Sequence, residues 1–187
     1  MASFSVKLVG DDGYGRLGEL DVPYGPVETP ALFPVVNLIG GTTEKSGGVW
    51  RRMRDKLISK DHLQGIMFQA MSFTDYGVSP DNLNDFWRTE TFHERFEELN
   101  APIFIDSGGF KLMNSTKFGQ KPGEGGSEND WGIYTNPESI LDLQLDYGAD
   151  IIATLDFPIP QNLNKAETTE RMEKSIDNAV ETLHLLE

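Results

Sequence analysis

Pro102-Ile103-Phe104-Ile105-Asp106-Ser107-Gly108-Gly109-Phe110 is an apolar run with β-branched residues that ends in a carboxylate, a hydroxyl, two glycines and an aromatic ring. The pattern predicts a buried strand that delivers a site at its carboxyl end. The glycines let backbone N–H groups approach a ligand closely, while Asp106 and Phe110 offer a charge and a stacking face. A plainer reading has a strand, a glycine turn and a core phenylalanine, and the neighbouring stretches decide between the two.

Moving outward, apolar runs at 31–36, 66–71 and 151–155 resemble the one at 103–105, and helical patterns separate them. Helices are predicted over 48–60, with Trp50, Met53 and Leu57 on one face, and over 84–100, where Phe86, Phe92, Phe96 and Leu99 recur at helical spacing. Asn136-Pro137-Glu138-Ser139 starts a further helix: Asn136 caps, Pro137 suits the first turn and Glu138 sits at the positive end of the dipole. That helix stops at Tyr147-Gly148. Residues 165–187 read as a long helix with Met172, Ile176, Ala179, Val180 and Leu183 on one face. Continuous apolar strands alternating with helices predict an α/β fold with a parallel sheet covered on its outer face.

Either a doubly wound sheet or a (β/α)8 barrel satisfies this pattern, and in both the ligand sits at the carboxyl ends of the strands. Asp106 and Asp156 each stand directly after an apolar run, so two strands deliver carboxylates to one rim. Ahead of the strands, residues 1–28 hold turn-rich segments around Gly10-Asp11-Asp12-Gly13-Tyr14-Gly15 and Gly25-Pro26, which predict antiparallel hairpins. Asn114 to Asp130, rich in Gly, Ser, Lys and Glu, reads as a surface loop.

Composition narrows the chemistry. Thirty acidic and 16 basic residues give a net charge of −14, which opposes nonspecific nucleic-acid binding except through a local cluster such as Arg51, Arg52, Arg54, Lys56 and Lys60. Such an acidic excess also suits a protein adapted to strong salt, where the repulsion is screened. The 187 residues contain no cysteine and only three histidines, His62, His93 and His184, without metal-ligand spacing, so no self-contained zinc site is expected. No apolar run approaches membrane-spanning length and no leader pattern opens the chain, which predicts a soluble, cytoplasmic protein with no membrane partner.

Two carboxylates at a rim can hold a metal, act as acid and base, or recognise a ligand rich in N–H donors. Phe110 beside Asp106 favours the last: a flat heterocycle stacks on the ring while a carboxylate accepts a pair of N–H bonds, as guanine's N1–H and exocyclic amine offer. No G-x-x-x-x-G-K-[ST] loop supports nucleotide hydrolysis. Asp106-Ser107-Gly108-Gly109 also occurs around protease nucleophiles, but that chemistry needs an all-β fold with histidine and aspartate upstream.

Three blocks, Gly25-Pro26-Val27-Glu28-Thr29-Pro30-Ala31-Leu32-Phe33-Pro34-Val35-Val36-Asn37, Asp106-Ser107-Gly108-Gly109-Phe110, and Asn136-Pro137-Glu138-Ser139-Ile140 with Asp150-Ile151-Ile152 through Asp156, follow one another in order. Together they resemble the tRNA-guanine transglycosylases, with the first block nearer to the archaeal, archaeosine-forming branch. The resemblance implies a (β/α)8 barrel that exchanges a guanine in nucleic acid for a 7-deazaguanine through a covalent glycosyl-aspartate. It implies that Asp106 is a catalytic carboxylate, that Asp106, Ser107, Gly108, Gly109 and Phe110 line the base pocket, and that Asp156 accepts hydrogen bonds from the base's Watson–Crick edge.

Two departures qualify it. Lys111 stands where many members have glutamine, which leaves tRNA or DNA open as the polymer. A full barrel takes about 250 residues, so residues 29–187 are expected to supply the first four βα units, after a hairpin region at 1–28. The family's second catalytic aspartate, its Gln-Gly segment and its Cys/His zinc ligands would fall outside them. The expectation is an incomplete half, inactive alone, that associates with a complementary C-terminal half or with itself. The alternatives are a DNA-guanine transglycosylase relative and a noncatalytic base-binding remnant or accessory subunit.

Overall fold

A computed structural model of the chain describes residues 3–8, 16–36, 64–70, 91–95, 99–109 and 136–187. The helix expected at 48–60 with its basic cluster, most of that expected at 84–100, Phe110, Lys111 and the 114–130 loop lie outside the described residues.

Strands β1 (Ser3–Leu8), β2 (Arg16–Val22) and β3 (Gly25–Thr29) form an antiparallel sheet in that order. The β2–β3 turn falls at Pro23-Tyr24, two residues before the expected Gly-Pro turn, because Gly25 at φ +139° already pairs with Val22. A parallel sheet contains β4 (Ile66–Gln69), β5 (Ile103–Asp106) and β6 (Ile151–Ile152). Val35 adds a parallel bridge to Met67 on the far side of β4, so four segments lie side by side in chain order.

Two expected strands are shorter than their apolar runs. At 31–36 only the Val35 bridge forms: Pro30 and Pro34 lack N–H groups, and Met67 N donates to Pro34 O while Val36 N donates to Met67 O. At 151–155 the ladder stops at Ile152, with one further bond from Ala153 N to Ile105 O, because β5 ends at Asp106 and offers no further rungs. Beyond that point side chains replace the ladder. Asn178 Nδ2 donates to Leu155 O, Ser175 Oγ accepts from Phe157 N, and Arg171 Nη1 donates to Pro158 O.

Burial alternates along β4 and β5. Ile66, Phe68, Ile103 and Ile105 are fully buried, whereas Met67, Gln69, Phe104 and Asp106 on the opposite face are half-buried. The buried face packs on α1 (Phe92–Arg95), Leu99 and Tyr147, with the Phe68 and Phe92 rings stacked 4.8 Å apart and Phe92 leaning on Tyr147. Each such side chain contributes on the order of 1.5–3 kcal/mol by leaving water.

Helix α2 (Pro137–Asp146) begins as the sequence predicts: Asn136 Oδ1 accepts from Ser139 N at 2.8 Å, and Asn136 N donates back to Ser139 Oγ. It ends at Tyr147, followed by Gly148 at φ +75°. Its buried face is Pro137, Ile140, Leu141 and Gln144. Helix α3 (Lys165–Leu185) is capped by Asn164 and Glu167. The apolar residues expected on one face of it are largely turned to solvent. Arg171, Ser175 and Asn178 dock on the segment after β6, so Ile176 is 55% and Leu183 62% exposed, with Met172 and Val180 exposed beside them.

Asp150 locks the two sheets together at the amino end of the parallel strands. Its Oδ1 accepts from Tyr24 N at 2.8 Å, and its Oδ2 accepts from Ile103 N at 2.8 Å and lies 3.2 Å from His93 Nε2. Tyr24 stacks flat on the His93 ring at 4.2 Å and donates its hydroxyl to Asn100 Oδ1. Among the described residues, no helix is long and apolar enough to cross a membrane.

Candidate functional site

Strand β5 carries Asp106 to the carboxyl end of the parallel sheet, and the chain turns there at once. Gly108 adopts φ +84°, a left-handed conformation that costs a side-chain-bearing residue about 1–2 kcal/mol. The turn folds Gly108 N back to donate to Asp106 Oδ2 at 3.1 Å. Ser107, fully buried, donates its hydroxyl to Asp156 Oδ1 at 3.2 Å and accepts from Gly109 N at 3.3 Å.

Gly109 fits for a second reason. A Cβ on it would lie on Asp156 Oδ1 and 2.5 Å from the Asp156 carbonyl oxygen. The turn after β5 and the segment after β6 therefore touch backbone to backbone, and only glycine allows that approach. The sequence expectation that Asp106 and Asp156 share one rim is met in the geometry: Ser107 and Gly109 join them. Phe110, expected to stack on a base, lies outside the described residues.

The two carboxylates differ in surroundings. Asp156 is exposed, whereas Asp106 is half-buried. Burial pushes the Asp106 carboxyl above the ordinary carboxylate range, and the negative charge of Asp156 adds to the shift; the Gly108 N–H opposes both. A half-buried acid with a raised pKa beside an exposed carboxylate suits one group that exchanges a proton and one that accepts N–H donors.

Side-chain roles that the sequence reading did not assign surround this pair. Gln144 of α2, only 1% exposed, donates both Nε2 protons, to Ile105 O and Ala153 O, each at 2.8 Å. A signal for it exists in the sequence: Gln144 falls on the helix face of Ile140 and Leu141, where an apolar residue is the rule. Asp150, a third carboxylate in the same sequence block, faces the opposite end of the strands, where its partners are structural.

No three His, Asp or Glu side chains among the described residues cluster to hold a metal ion, and the sequence has no cysteine.

Comparison with known proteins agrees with this picture. The family model described as Queuine tRNA-ribosyltransferase matches residues 11–186. A queuine tRNA-ribosyltransferase from Psychromonas ingrahamii is 29% identical over 180 residues, 91% of this chain and 43% of the relative. One from Natranaerobius thermophilus is 24% identical over 182 residues, 93% of this chain and 44% of the relative. A tRNA-guanine(15) transglycosylase from Methanosarcina mazei is 27% identical over 177 residues, 89% of this chain and 29% of the relative. The chain thus spans less than half the length of these relatives, and the two kinds match at overlapping identities. With a family match over nearly its whole length, the chain belongs to the queuine tRNA-ribosyltransferase family.

Proposed function

We propose that this chain is the base-binding portion of a transglycosylase that replaces a guanine in tRNA by a 7-deazaguanine. The observation that carries the proposal is the meeting of Asp106 and Asp156 at one strand rim, where the hydroxyl of Ser107, the residue after Asp106, donates to Asp156. Exposed Asp156 accepts the N1–H and exocyclic amine of the base. Half-buried Asp106 takes and returns a proton, for which its raised pKa suits it. Relatives named for acting on tRNA support tRNA as the polymer.

The exchange balances as two displacements at C1′ of the ribose. A second carboxylate, assigned to residues outside these 187, attacks C1′. The C1′–N9 bond breaks with its electron pair going to guanine, which takes a proton on N9 from the Asp106 carboxyl and leaves. The incoming base gives its N9 proton to a carboxylate, N9 attacks C1′, and the bond to the carboxylate oxygen breaks. The target base must first leave its stack, since C1′ is otherwise shielded. The parallel segments are read as the first four strands of a (β/α)8 barrel, supported by their order without reversal. The exposed stripe of α3 and the edges at Val35 and at β6, which pair with no further strand among the described residues, are then where the remaining barrel, from a complementary segment or a second copy, would pack.

Labelled-guanine exchange tests this. The purified chain alone is expected to give no turnover, and exchange at a rate comparable to full-length relatives would overturn the assignment of the nucleophile. In cells carrying the gene, 7-deazaguanine is expected in tRNA. Its appearance in DNA would move the substrate to DNA, and its absence from both would sink the exchange reading in favour of a base-binding module.

A further inference from the structure

We propose that Gln144 is a positioning residue that sets the spacing of Asp106 and Asp156 by clamping together the carboxyl ends of β5 and β6. The inference rests on the site reading above and adds to it a residue that touches neither carboxylate. The β5–β6 ladder pairs only Phe104 with Ile151 and Ile105 with Ile152. After the last backbone bond, Ala153 N to Ile105 O, the segment leading to Asp156 leaves the sheet. At that point Gln144 Nε2 donates to Ile105 O, the carbonyl just before Asp106, and to Ala153 O, three residues before Asp156, both at 2.8 Å.

The amide comes from a rigid support. Helix α2 is held by the Asn136–Ser139 capping box at one end and the Gly148 turn at the other, and Ile140 and Leu141 bury the same face. Both Nε2 protons are used, so a shorter, charged or apolar side chain loses at least one bond. Losing both leaves the Ala153 carbonyl, which is half-buried, without its donor. Its way out is to tilt toward water, carrying Asp156 away from Ser107 and Gly109.

A merely structural glutamine would lower stability and leave the site alone, so the test needs a readout at the site. The 187-residue chain, labelled with 13C at its carboxylates, is titrated by NMR as wild type, Gln144→Met and Gln144→Asn, with Leu141→Ala as a matched loss of packing on the same helix face. In both Gln144 variants Asp106 is expected to titrate at lower pH than in wild type, because the negative charge of Asp156 has moved away from it. Leu141→Ala is expected to lower stability without that shift. Calorimetry with 7-deazaguanine should show affinity lower by on the order of tenfold or more for Gln144→Met. An Asp106 titration unchanged in both Gln144 variants, or shifted as far by Leu141→Ala, overturns the positioning role. Absence of base binding by the wild type would count against the functional reading, while the titration still judges Gln144. If Gln144→Met does not fold, Gln144→Asn, neutral and still polar but too short to hold both bonds, carries the comparison.

Discussion

Alanine at position 109 is the smallest change that separates the turn after β5 from the segment after β6. Its Cβ would fall on the Asp156 carboxylate and 2.5 Å from the Asp156 carbonyl oxygen, where ordinary contact begins near 3.4 Å. The carboxylate can rotate away, but the carbonyl is backbone, so one segment must retreat by roughly 1 Å. Overpacking of that kind costs about 1–3 kcal/mol. The retreat also stretches the Ser107–Asp156 bond, now 3.2 Å, and turns the exposed carboxylate off its aim. Urea denaturation should therefore register the loss of stability, and calorimetric titration with 7-deazaguanine should show affinity at least about tenfold weaker, equivalent to roughly 1.4 kcal/mol. Gly25→Ala is the control: at φ +139° alanine is strained there, yet nothing lies within 4 Å of the added carbon, and the turn is at the other end of the molecule. It should lower stability and leave base affinity intact. A Gly109→Ala chain whose stability stays within about 0.5 kcal/mol of wild type and whose base affinity is unchanged would refute the close backbone approach.

Three further outcomes are expected. Because burial raises the folded-state pKa of Asp106 above its unfolded value of about 3.9, its contribution to stability is fully present below that pH and lost as pH rises through the raised value. Asp106→Asn should thus be more stable than wild type at neutral pH, with the advantage vanishing below about pH 4; denaturation curves at both pH values check this, and in a complete enzyme the same change should abolish exchange. Asp150→Ala leaves the Tyr24 and Ile103 N–H groups without their acceptor and should cost about 3 kcal/mol by urea denaturation. Ile176→Glu and Leu183→Glu, on the exposed stripe of α3, should change stability by no more than about 0.5 kcal/mol, and a larger loss would mean that this face is covered.

The legible parts of the fold are those written in local chemistry. Asp106 could be placed at a strand end because an apolar β-branched run stops there at a glycine pair, and α2 could be bounded because Asn136-Pro137 and Gly148 mark its two ends. The run at 31–36 misled because apolar composition signals burial, while Pro30 and Pro34 deny the backbone donors that a ladder needs. Helical periodicity finds the apolar face of α3 but not what that face meets: the polar side chains Arg171, Ser175 and Asn178 answer carbonyl and N–H groups left open after β6, and those govern how this chain docks the helix. The partners of Gln144 and Asp150 were out of reach for a similar reason, although a polar residue on the apolar face of α2 marks Gln144. Their roles depend on backbone groups brought near by the fold, 126 residues away in sequence for Tyr24 and Asp150.

The central claim is that Asp106 and Asp156 form one wall of a guanine pocket, and base selectivity tests it most directly. Calorimetric titration of the 187-residue chain with 7-deazaguanine and with adenine, repeated for Asp156→Asn, is expected to show saturable binding of the guanine-like base alone, weakened about tenfold or more by the substitution. Equal binding of both bases, or guanine-like binding untouched by Asp156→Asn, would contradict it.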